Sequence, residues 1–290
     1  AARREGSRVS GVTVRDVITG VTFDIAARAV VLAAGSGLPA LHGLFGVTGA
    51  PPLVRAMNLL LDRPASDIAL AGLSASGRMF TAVPWRDMVL VGTYQPDGAV
   101  REGTREPLDP FVDAFLAEVR TAFPALGATR DDIRFVHHAL VPAQATPRGL
   151  DLLAEPQVLA HAEVPGLISL VGVKYTTARL AAERAVNGVM RALHKPAGHS
   201  RTATTLLPHA DVADSDGMLV EAARTLRGTL DEDVHRHLAS WYGTEASAVL
   251  RCAHASAALA RVSAHSPVIE GEAIYAVREA AAVRLDDVAF

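Results

Sequence analysis

The chain has 290 residues, half of them hydrophobic, and a formal net charge of −3 at pH 7. A chain of this length and apolar content can bury a sizeable core in one large or two ordinary domains, which argues against general disorder. The weak charge, without a lysine- or arginine-rich stripe, argues against nucleic acid as the main partner. The single cysteine, Cys252, excludes an internal disulfide and indicates a reducing compartment. Its alanine-rich helical surroundings indicate a small buried hydrophobe.

The first predicted elements in chain order are strands. Residues Val9–Val17 and Val21–Ile25 read as two strands joined by a turn. The run Ala29–Ala34 is short, apolar and β-branched and ends at Gly35, which is typical of a strand buried on both faces. A chain rarely begins within a sheet without an earlier βαβ unit, so we expect that a preceding unit is missing from this sequence.

One stretch resembles a membrane span in composition. Residues Ala29–Val54 carry no charge, but repeated glycines and prolines interrupt them. A helix in lipid must satisfy its own backbone, so we interpret the stretch as a buried strand followed by a loop. The polar start Ala1–Arg8 has no apolar segment behind it, which argues against a signal peptide. The predicted location is cytoplasmic, with peripheral attachment to the cytoplasmic membrane left open.

The middle of the chain alternates strands with one helix. Three predicted strands are Asp67–Gly72, Arg78–Pro84 and Met88–Thr93, the last two forming a hairpin. Helical spacing then covers Pro107–Phe123, and Ile133–Val141 is the next predicted strand.

The rest of the chain is predicted to be mostly helical. A second apolar strand, Leu167–Val173, leads to a long helix, Ala178–Leu193, with a core stripe that includes Leu180 and Val186. A linker at Lys195–Ser200 follows. The helices predicted after the linker are Asp214–Thr225, Asp231–Tyr242, Glu245–Leu259 and Glu270–Val283.

The segment with most chemical content is Ser169–Arg179, with the sequence SLVGVKYTTAR. Gly172 allows the backbone to approach a flat ligand closely. Threonines then open a helix, so free N–H groups and the positive end of a helix dipole converge at one point. Such a point suits an anion or a developing negative charge. The plain alternative from spacing alone is a strand–turn–helix with a threonine N-cap.

Three other patterns suggest sites and are rejected. Residues Gly35–Ala40 formally match G-x-G-x-x-A, but Pro39 removes an N–H and two further glycines argue against a following helix. The serine-rich turn Gly72–Gly77 does not fit G-x-S-x-G. His137 and His138 are neighbours on a predicted strand, so they face opposite ways and cannot share one ion. We predict no metal.

Four segments together carry a recognisable order of motifs. They are AVVLAAGSG at Ala29–Gly37, GRMFTAVPWRDMVLVGTY at Gly77–Tyr94, GLISLVGVKYTTAR at Gly166–Arg179 and IYAVREAAAVRLDDV at Ile274–Val288. In this order they resemble segments of the FAD-dependent glycerol-3-phosphate dehydrogenases and of the wider D-amino-acid-oxidase-like flavoproteins. The chain is identified as a divergent member of that family that lacks its N-terminal part.

The resemblance implies an α/β fold. A partial glutathione-reductase-like FAD-binding domain, residues 1–41 and 156–197, would be interleaved with a mixed-sheet substrate domain, 42–155. An all-helical C-terminal domain would cover 205–290. The implied reaction is oxidation of a secondary alcohol, glycerol 3-phosphate or a related polyol or hydroxy acid, by hydride transfer to flavin N5. FAD is the implied cofactor, a quinone or other acceptor at the membrane surface is the implied electron partner, and the oligomeric state is left undefined.

The resemblance also implies site residues. Those on the adenosine–pyrophosphate side of FAD would be Ala34, Gly35, Ser36 and Gly37. Those beside the isoalloxazine would be Gly172, Val173, Lys174, Tyr175, Thr176 and Thr177. The helix that begins near Thr177 would stabilise negative charge on the reduced ring. The catalytic candidates are Asn58 and Lys174, and the substrate-binding candidates are Asn58, Arg148 and Lys174.

Three departures from the family pattern leave the substrate open. Val141 stands where the family has an arginine of the substrate pocket, and a second expected arginine falls at Glu155. Asn58 stands where the family has a histidine, and an asparagine cannot act as a base near neutral pH. Loss of guanidinium groups also removes a bidentate grip on phosphate. Lys174 remains, and Arg148 lies near enough in sequence to substitute.

Two alternatives to the dehydrogenase stay open. One is an amino-acid-oxidase-like flavoprotein with another substrate, and the other is a non-catalytic remnant. The N-terminal G-x-G-x-x-G unit is absent, so we expect the chain as given to bind FAD poorly or not at all. An in-frame G-x-G-x-x-G upstream in the gene would favour the enzymes, and a start codon at this position would favour the remnant.

Overall fold

The computed structural model divides into two compact units, residues 1–200 and 201–290. The finer division of the first unit into cofactor and substrate domains stays a prediction. The structure describes residues 1–64, 66–100, 103, 107–147, 149–172, 174–207, 230–255 and 258–288.

The first unit begins with an antiparallel three-stranded meander of β1 (Ala2–Glu5), β2 (Arg8–Arg15) and β3 (Thr22–Ala26). A glycine sets the spacing of β2 and β3. Gly11 has a φ of 144°, and a Cβ there would lie 2.0 Å from the carbonyl oxygen of Ile25. Any side chain at position 11 would therefore push these strands apart.

A second sheet has the order β11 (Gln157–Ala160), β12 (Leu167–Val171) and β4 (Val30–Leu32). β11 pairs with β12 antiparallel, whereas β12 pairs with β4 parallel. The predicted apolar strand at β12 is buried along most of its length, and Ile168 is 1% exposed. The predicted burial of β4 on both faces is wrong: Val31 is 39% exposed, because the helix on that face covers β11 and β12.

A helix follows β4, contrary to the prediction. The turn Gly35–Gly37 leads directly into α1 (Leu38–Phe45). Pro39 lies in the first helical turn, where its missing N–H removes no intrahelical bond. Gly46 ends the helix in the left-handed conformation, with a φ of 61°. Pro39 and the nearby glycine Gly46 thus do not prevent a helix here; they lie at its first turn and at its end.

The helix that covers the second sheet is α3 (Ala178–Ala192), and its predicted core stripe is wrong. Leu180 is 36% exposed and Val186 is 59% exposed. A Cβ at Gly188 would lie 3.4 Å from the side chain of Ile168. Small residues let the helix approach the sheet closely, and the longer apolar side chains point elsewhere. The buried residues of this helix are Ala181, Ala185 and Gly188.

The largest sheet has six strands in the order β10-β9-β5-β8-β7-β6. Every pairing in it is antiparallel, which corrects the expected mixed sheet. The reason is that β5 lies between β8 and β9, and the sequence did not indicate this strand. Its bounds and those of its neighbours are β5 (Leu53–Leu61), β6 (Leu70–Leu73), β7 (Met79–Trp85), β8 (Met88–Tyr94), β9 (Ile133–Thr146) and β10 (Gly149–Leu152).

One face of this sheet is packed by α2 (Asp109–Ala122). The helix predicted over Pro107–Phe123 is confirmed, and its residues Phe115 and Val119 are fully buried. Phe115 stacks on Tyr94 with ring centroids 4.9 Å apart, and Met57 from β5 joins the same cluster. Burial of such side chains contributes roughly 1.5–3 kcal/mol each. The core therefore lies on the α2 side of the six-stranded sheet.

The second unit contains three α-helices among its described residues: α4 (Glu232–Tyr242), α5 (Ala246–Ala255) and α6 (Glu270–Glu279). The predicted helix Asp214–Thr225 lies outside the described residues. Cys252 is half-buried on α5 and packs against the core of this unit.

A buried carboxylate joins the helices of the second unit. Glu272 accepts a hydrogen bond from the hydroxyl of Tyr242 at 2.9 Å, and His237 Nε2 lies 2.9 Å away. Its other oxygen accepts the backbone N–H of Ile269 at 2.8 Å. Burial, with the nearby Glu272 charge, raises the pKa of Tyr242, so the phenol stays protonated and donates.

No helix in the described ranges has the length and apolar character needed to cross a membrane. The uncharged run Ala29–Val54 is divided among β4, α1 and the start of β5.

Two imidazoles and a hydroxyl form a buried polar cluster between α1 and β12. His42 Nε2 lies 2.7 Å from Ser169 Oγ, and His161 Nε2 lies 2.8 Å from the same oxygen. A serine carries one proton, so Ser169 donates to one imidazole and accepts from the other. Burial, together with His161, lowers the pKa of His42. His42 is therefore neutral at pH 7 and fixes α1 to the sheet as a neutral hydrogen-bonding group.

Replacing Ser169 with alanine should destabilise the first unit. Both buried imidazoles would lose a partner, at a cost of about 1–3 kcal/mol. Thermal unfolding followed by circular dichroism should give a melting temperature several degrees below that of the wild type. Ser7→Ala, in an exposed turn, is the matched control and should melt like the wild type. Equal melting temperatures for Ser169→Ala and Ser7→Ala would contradict a structural role for the cluster.

Acid should destabilise the protein through His42. Its pKa is lower in the folded state, so below about pH 6.5 the unfolded chain binds a proton that the folded chain excludes. The free energy of unfolding should therefore fall with pH, by at most about 1.4 kcal/mol per unit. His42→Gln keeps an amide donor for Ser169 but does not titrate, so its melting temperature should fall less on acidification. A steeper fall for this variant than for the wild type would show that the sign is wrong.

Candidate functional site

Two loops predicted to contact the cofactor leave the second sheet at the same edge. β4 and β12 are parallel, with Val30 opposite Leu167, so their carboxyl ends point the same way. The loop Ala34–Gly37 follows β4, and the loop Gly172–Thr177 follows β12. In open α/β sheets, ligands bind in the crevice beyond this edge.

Each loop passes through a 3-10 turn into an α-helix without a side-chain cap. Gly35–Gly37 leads into α1, and Tyr175–Thr177 leads into α3. Thr177 occupies the N-cap position of α3, but its hydroxyl donates to the carbonyl oxygen of Lys174 at 3.1 Å. The N–H groups of Gly37 and Leu38 donate to carbonyls of the first turn, and those of Thr177 and Ala178 donate to carbonyls of the second. The N–H groups left for an anion, among the described residues, are those at the start of each turn: Gly35, Ser36, Tyr175 and Thr176.

Both loops have room for a flat ligand. A Cβ at Gly35 or at Gly172 would meet no atom of the described chain within 4 Å. Tyr175 is 98% exposed, which is unusual for an aromatic side chain. The backbone of these loops faces open space beyond the sheet edge.

A cavity of about 600 Å³ lies against the large sheet. Residues alternate across a strand, so Asn58 and Ala56 face away from the core residue Met57 and the helix α2. The cavity is therefore on the open face of the sheet. Its lining includes Asn58, Thr93, Phe135, His137, Val141 and Lys174.

Asn58 is held in the cavity by the neighbouring strand β8. Its Oδ1 accepts a hydrogen bond from Thr93 Oγ1 at 3.0 Å. The amide orientation follows from this bond, and Nδ2 has no partner among the described residues. A Cβ at Gly92 would lie 1.7 Å from Asn58 Oδ1, so the asparagine needs a glycine beside it. Asn58 can thus donate to a hydroxyl or carbonyl oxygen in the cavity.

The two predicted catalytic residues lie on the same cavity. Lys174 reaches it from the loop after β12, and Asn58 reaches it from β5. In the described part of the chain, the Lys174 ammonium has no ion pair or hydrogen bond. An ammonium group with no partner among the described residues, on the same cavity as an amide donor, suits a substrate with an anionic end and a hydroxyl.

The other predicted site residues lie apart from this lining or cannot be placed. The loop Ala34–Gly37 and the residues Gly172 and Tyr175–Thr177 are at the sheet edge, which the cavity meets at Lys174. Strand β9 contacts the turn Gly35–Gly37, so the large sheet also borders this edge. Arg148 and Val173 lie outside the described residues, so their predicted roles stay predictions.

His137 lines the cavity and was considered in the sequence only as a metal ligand. In the described residues, no group of three or more histidine, cysteine or acidic side chains could hold a metal ion. The pairing of β9 with β5 puts His137 opposite Asn58. Without β5 in the predicted elements, no signal in the sequence linked these two positions.

The positions that depart from the family pattern are also visible. Val141 lines the cavity, so an apolar side chain stands where the family pattern has an arginine. The carboxylate of Glu155 lies 3.5 Å from Arg184 Nη1 on α3. Glu155 thus pairs with an arginine of α3 and is not among the described residues that line the cavity.

Comparison with known proteins decides the family. Residues 1–187 match the family described as FAD dependent oxidoreductase, and residues 200–290 match the one described as the C-terminal domain of alpha-glycerophosphate oxidase. The first match alone covers more than half of the chain. This chain belongs to the FAD-dependent oxidoreductase family. The resemblance drawn from the four motifs is confirmed at this level.

Similar members of the family are called glycerol-3-phosphate dehydrogenases. The Mycobacterium leprae protein is 28% identical over 298 residues, which cover 99% of this chain and 50% of that protein. The mitochondrial protein of Bos taurus is 26% identical over 295 residues, covering 96% of this chain and 40% of that protein. This chain therefore spans about half, or less, of the length of these relatives.

A solved structure shares the fold. The glycerol-3-phosphate dehydrogenase from Bacillus halodurans complexed with FAD superposes with a TM-score of 0.72 at 25% identity. The superposition covers 88% of this chain and 51% of that one. The α/β fold with a helical C-terminal region, predicted from the motifs, is thus confirmed.

A methyl group at position 92 should disturb the cavity through Asn58. In Gly92→Ala the new Cβ would lie 1.7 Å from Asn58 Oδ1 but 3.2 Å from Asn58 Cβ. We expect a loss of about 1–3 kcal/mol in stability from this overpacking. In an Asn58→Ala background the same change should cost much less. Thermal unfolding of the four proteins gives the coupling energy, and additive effects would contradict the contact.

Proposed function

We propose that this chain supplies the substrate cavity and the flavin-facing loop of an FAD-dependent dehydrogenase. Its substrate is a secondary alcohol with an anionic end, glycerol 3-phosphate or a related polyol or hydroxy acid. The observation that carries the proposal is the position of Lys174. This residue belongs both to the uncapped loop after β12 and to the cavity that holds Asn58.

The loops of the small sheet fit a dinucleotide flavin. Two uncapped helix starts at one sheet edge offer N–H groups to negative charge, and open space at Gly35 and Gly172 admits flat rings. Bound FAD would accept a hydride from the substrate carbon. Residues of Ala34–Gly37 would lie towards the adenosine–pyrophosphate side, and those of Gly172–Thr177 towards the isoalloxazine. The α3 N-terminus would stabilise negative charge on the reduced ring.

The cavity lining favours an alcohol with one anionic group. Lys174 would bind that group, and the Asn58 amide would donate to the hydroxyl oxygen. Phe135 and Val141 supply apolar wall for a short carbon chain. An amino acid would also need a partner for its ammonium group, and no carboxylate borders the cavity within the described residues. The alcohol is therefore preferred over the amino-acid alternative.

The electrons need a second acceptor after the substrate has reacted. We propose a quinone or another acceptor at a membrane surface, reached by peripheral attachment of a cytoplasmic protein. The support is the family to which the chain belongs together with the C-terminal domain match over residues 200–290.

Flavin reduction tests the proposal directly. The product of the complete reading frame is purified with FAD and mixed anaerobically with glycerol 3-phosphate, other phosphorylated polyols, hydroxy acids and amino acids. We expect the flavin absorbance to bleach with a phosphorylated or carboxylated secondary alcohol. Bleaching by amino acids alone would overturn the assignment of an alcohol.

Removing the Lys174 charge should weaken substrate binding. Lys174→Gln should raise KM for the anionic alcohol by about 10–100-fold, because a charged hydrogen bond contributes about 1.5–3 kcal/mol. Oxidation of the same alcohol without its anionic group should change little. Lys195→Gln is the matched control, since Lys195 is exposed beyond the end of α3. An unchanged KM in Lys174→Gln would exclude Lys174 as the anion-binding residue.

A further inference from the structure

One polar side chain of the cavity has no task in the proposed function. His137 on β9 is opposite Asn58 on β5, and both side chains line the cavity. Neither ring nitrogen of His137 has a hydrogen-bond partner among the described residues. Its ring is packed edge-on against Phe135, with centroids 4.6 Å apart. The imidazole is thus oriented by a neighbour and open to a ligand.

Alcohol oxidation requires a proton acceptor as well as a hydride acceptor. The amide of Asn58 cannot take a proton near neutral pH, and the hydroxyl of Thr93 cannot either. Lys174 is needed as a cation for the anionic group. Histidine is the side chain whose titration falls in the physiological range and that most often acts as a general base.

Among the titratable residues of the cavity lining, His137 is the one best placed to act as a base. The titratable residues in the described lining of the cavity are His137, His138 and Lys174. His138 is opposite the buried Met57 and therefore belongs to the other face of the sheet. Its Nδ1 lies 3.4 Å from Arg55 Nη1, so a proton on that nitrogen would meet a cation.

We propose that His137 is the catalytic base that accepts the hydroxyl proton of the substrate. The hydroxyl oxygen lies between the Asn58 amide, which donates to it, and the His137 imidazole, which removes its proton. As the O–H bond breaks, the carbon–hydrogen bond breaks with its electron pair, and bound FAD would supply the two-electron acceptor for that hydride. The alcohol becomes a ketone and His137 becomes an imidazolium.

This inference depends on the proposed function and adds the proton path to it. The imidazole stands on the strand next to Asn58, the position at which the family pattern has a histidine. The cavity therefore keeps a base although position 58 has lost one. The imidazolium formed in the step can then donate to the ketone oxygen of the product.

The pH dependence of flavin reduction in the complete FAD-bound protein tests the inference. In the wild type, the rate should fall on acidification because a protonated His137 cannot accept a proton. His137→Gln should lose this acidic limb and slow by about 10²–10⁴-fold, the usual contribution of a general base. His138→Gln is the matched control and should keep the limb. If His137→Gln fails to retain FAD, His137→Asn takes its place in the same comparison.

Binding of the product ketone supplies a readout apart from turnover. Dihydroxyacetone phosphate is titrated against the oxidised holoprotein, and its binding is followed by the change in the flavin spectrum. Binding to the wild type should weaken as the pH rises and the His137 imidazolium loses its proton. The His137 variant shares the phosphate ionisation but should lack this additional dependence.

The outcomes separate the inference from the proposed function. If anionic alcohols reduce the wild-type flavin and His137→Gln keeps the acidic limb, His137 is not the base and the dehydrogenase assignment survives. If no alcohol reduces the wild-type flavin, both are overturned. Loss of the limb in His138→Gln instead of His137→Gln would assign the base to the other histidine and overturn the inference.

Discussion

The parallel pairing of β4 with β12 is the contact on which the candidate site depends. It joins segments more than a hundred residues apart in sequence, and it consists of three residue pairs, from Val30–Leu167 to Leu32–Ser169. Without it, the two glycine loops would not share a sheet edge and the starts of α1 and α3 would not lie along one crevice. So short a ladder needs support from its surroundings. The close approach of α3 at Gly188 and the hydrogen bonds of Ser169 to two histidines supply it.

The two sheets of the site contribute different kinds of chemical group. The small sheet contributes backbone: glycine turns, uncapped N–H groups and helix starts, which suit a cofactor with phosphates and flat rings. The large sheet contributes side chains from its open face, because α2 and the apolar core occupy its other face. Lys174 belongs to both, since it follows β12 and borders the cavity on the large sheet. Lys174 therefore lies where the backbone groups of the small sheet and the side chains of the large sheet come together.

Much of this arrangement could be predicted from the sequence, and the failures have physical reasons. Ordered motifs identified the family, and local patterns located β12, α2 and the loop with Lys174. Strand β5 was missed because it contains a buried arginine, Arg55, and the polar Asn58 within an apolar run. Missing β5 also hid the proximity of His137, since register across a sheet is a long-range property. The stripe of α3 was misassigned because close packing favoured alanine and glycine over leucine and valine.

The two consecutive histidines on β9 affect what a shift in the register between β9 and β5 would do to the cavity. A one-residue slip of a strand exchanges the sets of side chains on its two faces. In β9 such a slip would turn His137 away from Asn58 but could bring His138 into its place. The strand already contains an irregularity near its start, where Leu60 and Leu61 are opposite Phe135 and Ile133. With two consecutive histidines on β9, an imidazole nitrogen would face Asn58 both in the observed register and after a one-residue slip.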